Sequence, residues 1–374
     1  MTLTQIRTSQ SKTELRKGFT TGACATAASL AALQHLFGQC SSQVEINLPI
    51  NQSAIFSVTH YGINGMTEGN QSATAGVIKD AGDDPDCTHG AEIIATVRPN
   101  QIAGINFIAG DGVATVTLPG LELSVGEPAI NPVPRKMICQ HLLPLLAQFN
   151  FAGADVTISV PGGEELAKQT IGQRLGLIGG VSILGTRGTV NPYSTSAYAA
   201  SVRQSIEVGR QQGLTALYLT TGSRTEAQAM SSAPQCQPIS FIQAGDFMGV
   251  GLRACVRQRI QHVTVVVMIG KLCKLACGTM MTHVTGRAID FSILAQLLDD
   301  TQCNQALKNA VIQANTGRHL LTLLPPTKHP QFYQALCAKA AYNCAAYAHH
   351  KLALTVRLIN FDGTVLAQAH QGDC

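Results

Sequence analysis

The sequence predicts a mixed α/β and α+β chain of two domains. An N-terminal α+β domain is expected over 1–150, and a doubly wound, Rossmann-like, mostly parallel sheet over 151–374. Three observations carry this expectation. At 374 residues the chain exceeds the roughly 150 of one ordinary domain. Pro128, Pro132 and Pro134 punctuate it just ahead of the boundary. Beyond them, short apolar runs alternate with helical stretches, the pattern of a parallel sheet covered on both faces.

Residues 1–12 are polar and read as a loose tail. Thr20-Thr21-Gly22 then leads into 23–37, a run of strong helix formers closed by Gly38. The alternating segments 44–48, 55–59, 93–97 and 112–118 read as strands, and 135–149 as a helix. A strand over 156–160 ends in Pro161-Gly162-Gly163, after which Glu164 and Glu165 suit the positive end of a helix dipole. The apolar runs 181–184, 216–219, 239–243 and 263–269 supply further strands, with helices over 196–211 and 248–261. In such sheets ligands bind outside the C-terminal strand ends.

Composition narrows the class. Charged residues are 13%, Gly numbers 35 and Trp is absent, which suits a glycine-looped α/β protein and not a disordered or fibrous one. A net charge of +4 is too weak for a nucleic-acid partner, which needs a basic stripe. A few placed cations would instead suit an acidic small molecule. The 12 cysteines contain no Cys-x-x-Cys pair, and the polar N-terminus lacks the apolar core of a secretory signal. Reduced thiols in a cytoplasmic protein are expected. Apolar runs such as 263–269 fall far short of the ~20 residues that span a bilayer, so no membrane partner is expected.

Several segments offer chemistry. Thr220-Thr221-Gly222-Ser223-Arg224 follows a strand, and its hydroxyls, glycine and arginine suit a carboxylate or phosphate. It serves equally as a capped helix start with an exposed arginine. Glycine turns at 176–180 and 185–188 permit close backbone approach to a nucleotide-like cofactor. Gly249-Val250-Gly251 with Ala254 spells part of a dinucleotide fingerprint, but lacks the strand directly before it and the acid about 20 residues on. Asp80, Asp83, Asp84, Asp86 and His89 form a dense polar cluster whose spacing does not match an EF-hand. Cys273 and Cys277 share a helix face near His283, but no second pair is present to complete a zinc site. Cys24 stands near a helix N-terminus with no histidine beside it in sequence. No protein-held metal is expected.

Seven segments in order carry a resemblance. Leu15-Arg16-Lys17-Gly18-Phe19-Thr20-Thr21-Gly22-Ala23-Cys24-Ala25 resembles the opening of the cobalt-precorrin-5B (C1)-methyltransferase family, CbiD. The run 77–86 with Thr88-His89-Gly90 is similar to its most distinctive block. The likeness continues at 126–135, 159–163, 177–180 with 182–186, 220–224 and 270–272. It covers about 15–290, and from Thr301 onward the chain carries no segment of it and is expected to be lineage-specific. The resemblance implies methylation of carbon C1 of cobalt-precorrin-5B, giving cobalt-precorrin-6A, in anaerobic cobalamin biosynthesis. S-adenosyl-L-methionine is the implied donor, and cobalt arrives inside the substrate.

On that basis the corrin carboxylates are expected at Arg16, Lys79, Arg135 and Arg224, with Thr20 and Thr21 beside them. Asp80, Asp83 and His89 are expected to shape the reacting end or take a proton there. Gly179, Gly180, Gly185 and Thr186, with Thr221 and Gly222, are expected to approach the donor. A sulfonium methyl is already electrophilic, so alignment could supply ~7–11 kcal/mol and no covalent nucleophile is required. Two other classes compete: a nucleotide-dependent oxidoreductase and a non-catalytic tetrapyrrole carrier. A homo-oligomer is compatible with each.

Overall fold

Residues 21–33 are nearly all Ala, Thr, Ser and Leu, small enough for a helix to be packed from every side. In the computed structural model, which describes residues 15–65, 71–283, 288–298 and 305–372, every residue from Thr21 to Leu33 is buried. The tail expected over 1–12 lies outside the described residues. The fold is mixed α/β, and the chain packs into two compact units, Met1–Thr117 with Glu122–Ser194, and Leu118–Leu121 with Thr195–Cys374.

The first unit opens with β1 (Gly18–Phe19) and α1 (Thr21–Leu36). Then come β2 (Gln43–Leu48), β3 (Gln52–Asn64), β4 (Ser72–Ile78), β5 (Glu92–Asn100), β6 (Gly104–Ala109) and β7 (Thr115–Val116). It closes with α2 (Pro132–Gln148), β8 (Gly153–Ser159), α3 (Gly163–Ala167), β9 (Leu177–Ile178) and β10 (Thr189–Val190). Six strands form one sheet in the order β2-β3-β4-β5-β8-β6, antiparallel except for the β6–β8 pair. Alternation sets its faces: Val44, Ile46 and Leu48 are buried while their neighbours are exposed. α1 lies on β2 to β5, with α2 also packed against it.

Two expectations are corrected here. The strand near 156–160 does not open a second domain; β8 is hydrogen-bonded between β5 and β6, burying Ala154, Val156 and Ile158 in the first core. The boundary by packing therefore falls after Ser194 and not near 150. Residues 181–184 are likewise no strand of a parallel sheet. They make only isolated bridges, Val113 with Val181 and Ile130 with Ile183, inside the same unit. The strand expected over 112–118 shrinks to β7, paired with β9.

The second unit contains α4 (Thr195–Gln211), β11 (Ala216–Thr220), α5 (Ser223–Ser232), β12 (Phe241–Gln243), α6 (Met248–Arg257), β13 (His262–Met268) and α7 (Ile269–Ala276). α8 (Phe291–Gln296), α9 (Gln305–Ile312), α10 (Gly317–Leu323), α11 (Pro330–Tyr347), β14 (Ala353–Ile359) and β15 (Val365–Gln371) follow. The sheet order is β12-β11-β13-β14-β15; the first four strands run parallel and β15 runs antiparallel to β14. Leu219, Val265, Val267, Val356 and Leu358 enter a large core with Val202 and Ile206 of α4, Leu252 of α6 and Leu336 of α11. The opposite face buries Phe241, Val266 and Ile359 against Ala229 and Ala233, at the end of α5. Among the described residues no helix is long and apolar enough to cross a membrane.

Candidate functional site

In the first unit, two glycines let two loops lie on one another. A Cβ on Gly18 would sit 2.0 Å from the carbonyl carbon of Ala81, and one on Gly82 would sit 2.2 Å from the carbonyl oxygen of Arg16. Their absence allows the Lys17–Gly82 bridge and the bonds from Phe19 N–H to Asp80 O (2.7 Å) and from Asp83 N–H to Arg16 O (3.0 Å). The acids follow this backbone. Asp83 Oδ2 accepts the Arg16 N–H at 2.6 Å, and Asp80 Oδ1 accepts from Arg16 Nη2 at 3.0 Å and from Gly82 N–H at 2.9 Å. Asp84 Oδ1 accepts from Tyr193 N–H at 2.9 Å. Asp86 takes Lys79 Nζ at 2.6 Å on one oxygen, and the Thr88 N–H and hydroxyl on the other.

This loop is held by its acids, which explains their density without a cation. Among the described residues no group of three or more His, Cys, Asp or Glu is placed to hold a metal. The Arg16 guanidinium and the Gly82 N–H hold Asp80 at about 2. An acid so far below neutrality stays charged at any physiological pH and is unsuited to proton transfer there. Because its folded value is depressed, the clasp is complete above the ordinary aspartate value of ~3.9 and is lost as pH falls through the folded one. An NMR titration of the Asp80 carboxyl carbon is expected to give a midpoint near 2. A midpoint near 4 would mean that Arg16 is not held against it.

His89 is exposed, but its Nδ1 accepts the Ala81 N–H at 3.0 Å. In the neutral ring the proton is therefore on Nε2, a donor and not a base. Lys79 departs from expectation more strongly: it is 1% exposed with its ammonium on Asp86, so it holds the loop and cannot reach a substrate carboxylate. Thr20 and Thr21 are also buried. Thr20 Oγ1 caps α1 by accepting the Ala23 N–H, and Thr21 Oγ1 accepts the Leu184 N–H at 2.9 Å. Gly185 lies against Thr20, and Gly180 against the Gly112 carbonyl, so both are glycines for packing. Arg135 donates to Ile130 O, Glu127 Oε1 and Pro128 O, clamping the turn before α2. Burial pushes the Cys24 thiol up to about 12, which excludes it as a nucleophile. Arg16, Asp83, His89, Gly179 and Thr186 are exposed.

In the second unit the C-terminal ends of β11, β12 and β13 are tied together. Lys271, in the first turn of α7, donates to Thr221 O at 3.0 Å and pairs with Asp246 Oδ1 at 3.2 Å. Asp246 Oδ1 also accepts the Thr282 hydroxyl at 2.8 Å. Thr225 Oγ1 accepts the Thr221 N–H, which shapes the turn through Gly222, and Arg224 projects into solvent from the first turn of α5. Gln243 at the end of β12 donates to the buried Glu226 at 2.7 Å. Asp246 and Lys271 were missed as site residues. Lys271 stood within a recognised segment, and Asp246 lies just beyond the strand expected over 239–243, where nothing local shows that Lys271 pairs with it. Cys273 is buried and Cys277 bonds to Asp290 O, so this pair serves packing.

The first unit is built on a mostly antiparallel sheet and the second on a mostly parallel one, which carries its polar side chains at the strand ends, where α/β enzymes hold small molecules. The CbiD family model matches residues 8–192, and the model for the CbiD C-terminal domain matches 281–370. This chain belongs to the CbiD family. The second match corrects the expectation that the chain after Thr301 is lineage-specific. A protein of Leptospira borgpetersenii named cobalt-precorrin-5B C(1)-methyltransferase is 44% identical over 95% of this chain and 95% of its own. One of the same name from Geobacillus thermodenitrificans is 42% identical over 97% of each. A crystal structure of the cobalamin biosynthesis protein (cbiD) from Archaeoglobus fulgidus is 28% identical, covers 72% of this chain and 82% of that one, and has a TM-score of 0.39.

Proposed function

We propose that this chain methylates carbon C1 of cobalt-precorrin-5B, giving cobalt-precorrin-6A in cobalamin biosynthesis, with S-adenosylmethionine as donor. The observation that carries the reading is identity of 42–44% over nearly the whole chain to relatives named for that reaction. The competing oxidoreductase and carrier have no such support.

S-adenosylmethionine supplies a methyl already activated on sulfonium, so the chain's residues bind and align. The second unit's sheet, as a doubly wound Rossmann-like layer, would hold the donor at Thr221, Gly222 and Lys271. Its donor set suits the ligand: Arg224 for an anionic group, and Asp246 and the Thr221 turn for polar ones. The substrate is a corrin precursor with several carboxylates, and its cobalt is part of that substrate. Arg16 and the Nε2–H of His89, both exposed, offer donors for these carboxylates. Reduced cysteines suit work in the cytoplasm.

Incubating the protein anaerobically with cobalt-precorrin-5B and methyl-labelled S-adenosylmethionine should add one labelled methyl to the tetrapyrrole, read by mass spectrometry. Tetrapyrrole bound without mass gain would make the chain a carrier. Hydride transfer from NADH would make it an oxidoreductase.

A further inference from the structure

β11 has β12 on one side and β13 on the other, so the connections leaving β11 and β12 run in opposite directions across the sheet. The crevice between the C-terminal ends of β11 and β13 is the topological switch point, where sheets of this kind take ligands. Lys271 spans it, reaching Thr221 after β11 and Asp246 after β12. Gly245 N–H bonds to Thr220 O at 3.1 Å and fixes the turn that presents Asp246.

The Asp246 carboxylate is half engaged. Oδ1 receives Lys271 and Thr282, while Oδ2 accepts no hydrogen bond from the described residues. Burial pushes its pKa up, but the Thr282 hydroxyl and the Lys271 ammonium outweigh it and keep the group below the usual carboxylate range. Its next neighbour, Phe247, stacks on Tyr198 with ring centroids 5.2 Å apart, and the Tyr198 hydroxyl donates to Gln243 O at 3.1 Å. A charged acceptor with one open oxygen thus stands beside a flat aromatic wall. The place in the chain matches the chemistry. In nucleotide-binding sheets the acid that takes the ribose hydroxyls follows the second strand, about 20 residues beyond the glycine turn after the first. Here the turn is Thr221-Gly222, the second strand is β12 and the acid is Asp246.

We infer that Asp246 accepts the ribose hydroxyls of an adenosine-containing ligand bound at this strand end, with Lys271 holding the carboxylate in place. The inference rests on the proposed use of S-adenosylmethionine, and names which atoms of it this chain recognises. The probes are S-adenosylhomocysteine and its 2′-deoxy analogue, titrated calorimetrically against the wild-type protein and against Asp246→Asn. Wild type should bind the deoxy analogue about tenfold more weakly, the scale of a hydrogen bond to a charged group. Asp246→Asn should bind S-adenosylhomocysteine about tenfold to hundredfold more weakly and should no longer distinguish the two ligands. Equal binding of both by wild type would overturn the role of Asp246 alone, and needs no variant that must fold. No binding of S-adenosylhomocysteine by wild type would remove the donor itself, and the inference with it.

Discussion

Replacing Asp86 by alanine is expected to destabilise the protein by about 3–5 kcal/mol in urea unfolding, because it strands a buried charge. Lys79 is 1% exposed, and its ammonium lies 2.6 Å from Asp86 Oδ2. Without that carboxylate the buried ammonium loses the counter-charge that holds it. The Lys79→Met and Asp86→Ala double variant should be more stable than Asp86→Ala alone, since methionine keeps the volume and removes the charge. Acidity should narrow the gap between wild type and Asp86→Ala. Burial raises the Asp86 pKa, but the bonds from Lys79 and Thr88 outweigh it and the folded value lies below the ordinary one. The stability it contributes is therefore complete above ~3.9 and is lost as pH falls through the folded value. A cost under about 1 kcal/mol at neutral pH would show that the pair is open to solvent.

That result would separate two meanings of one conspicuous segment. Four acids and a histidine within 80–89 invite a metal or an acid–base site when only neighbours in sequence are seen. For three of the acids the partners lie far along the chain: Arg16 for Asp80 and Asp83, and Tyr193 for Asp84. No spacing rule shows that Arg16 folds back over the loop, although Gly18 and Gly82 are the residues that permit it. Local signals did better. The helix expected at 23–37 is α1, Thr21–Leu36, because small helix formers and a closing Gly38 are properties of the segment itself. The runs 44–48 and 263–269 correspond closely to β2 and β13 for the same reason. β8 was placed in the wrong unit because its pairing, antiparallel to β5 and parallel to β6, is non-local. In the second unit the strand ends were the expected location, yet the acid there was overlooked; the glycine pattern at 249–251, set aside for want of a strand directly before it, lies within α6 and packs against Met280, Tyr347 and Leu219.

Gly180→Ala is expected to destabilise the protein by about 3 kcal/mol, whereas Gly179→Ala should cost only about 1–2 kcal/mol. Both were expected to face the methyl donor, and the two substitutions test whether glycine is there for a ligand or for the fold. A Cβ on Gly180 would lie 2.0 Å from the Gly112 carbonyl oxygen, the same oxygen that accepts the Val181 N–H at 2.9 Å. Backbone cannot rotate away as a side chain can, so the Val113–Val181 bridge must shift. Gly179 has φ +92 and nothing within 4 Å of the added carbon, so its substitution meets conformational strain alone. Urea unfolding should rank the two variants in that order. Gly179→Ala should also bind S-adenosylhomocysteine within about twofold of wild type, because the donor is proposed to lie at the strand ends of the second unit. A tenfold loss of affinity in Gly179→Ala, at nearly wild-type stability, would return the 176–180 turn to the donor site. It would show that open space beside an exposed glycine had been kept for a ligand.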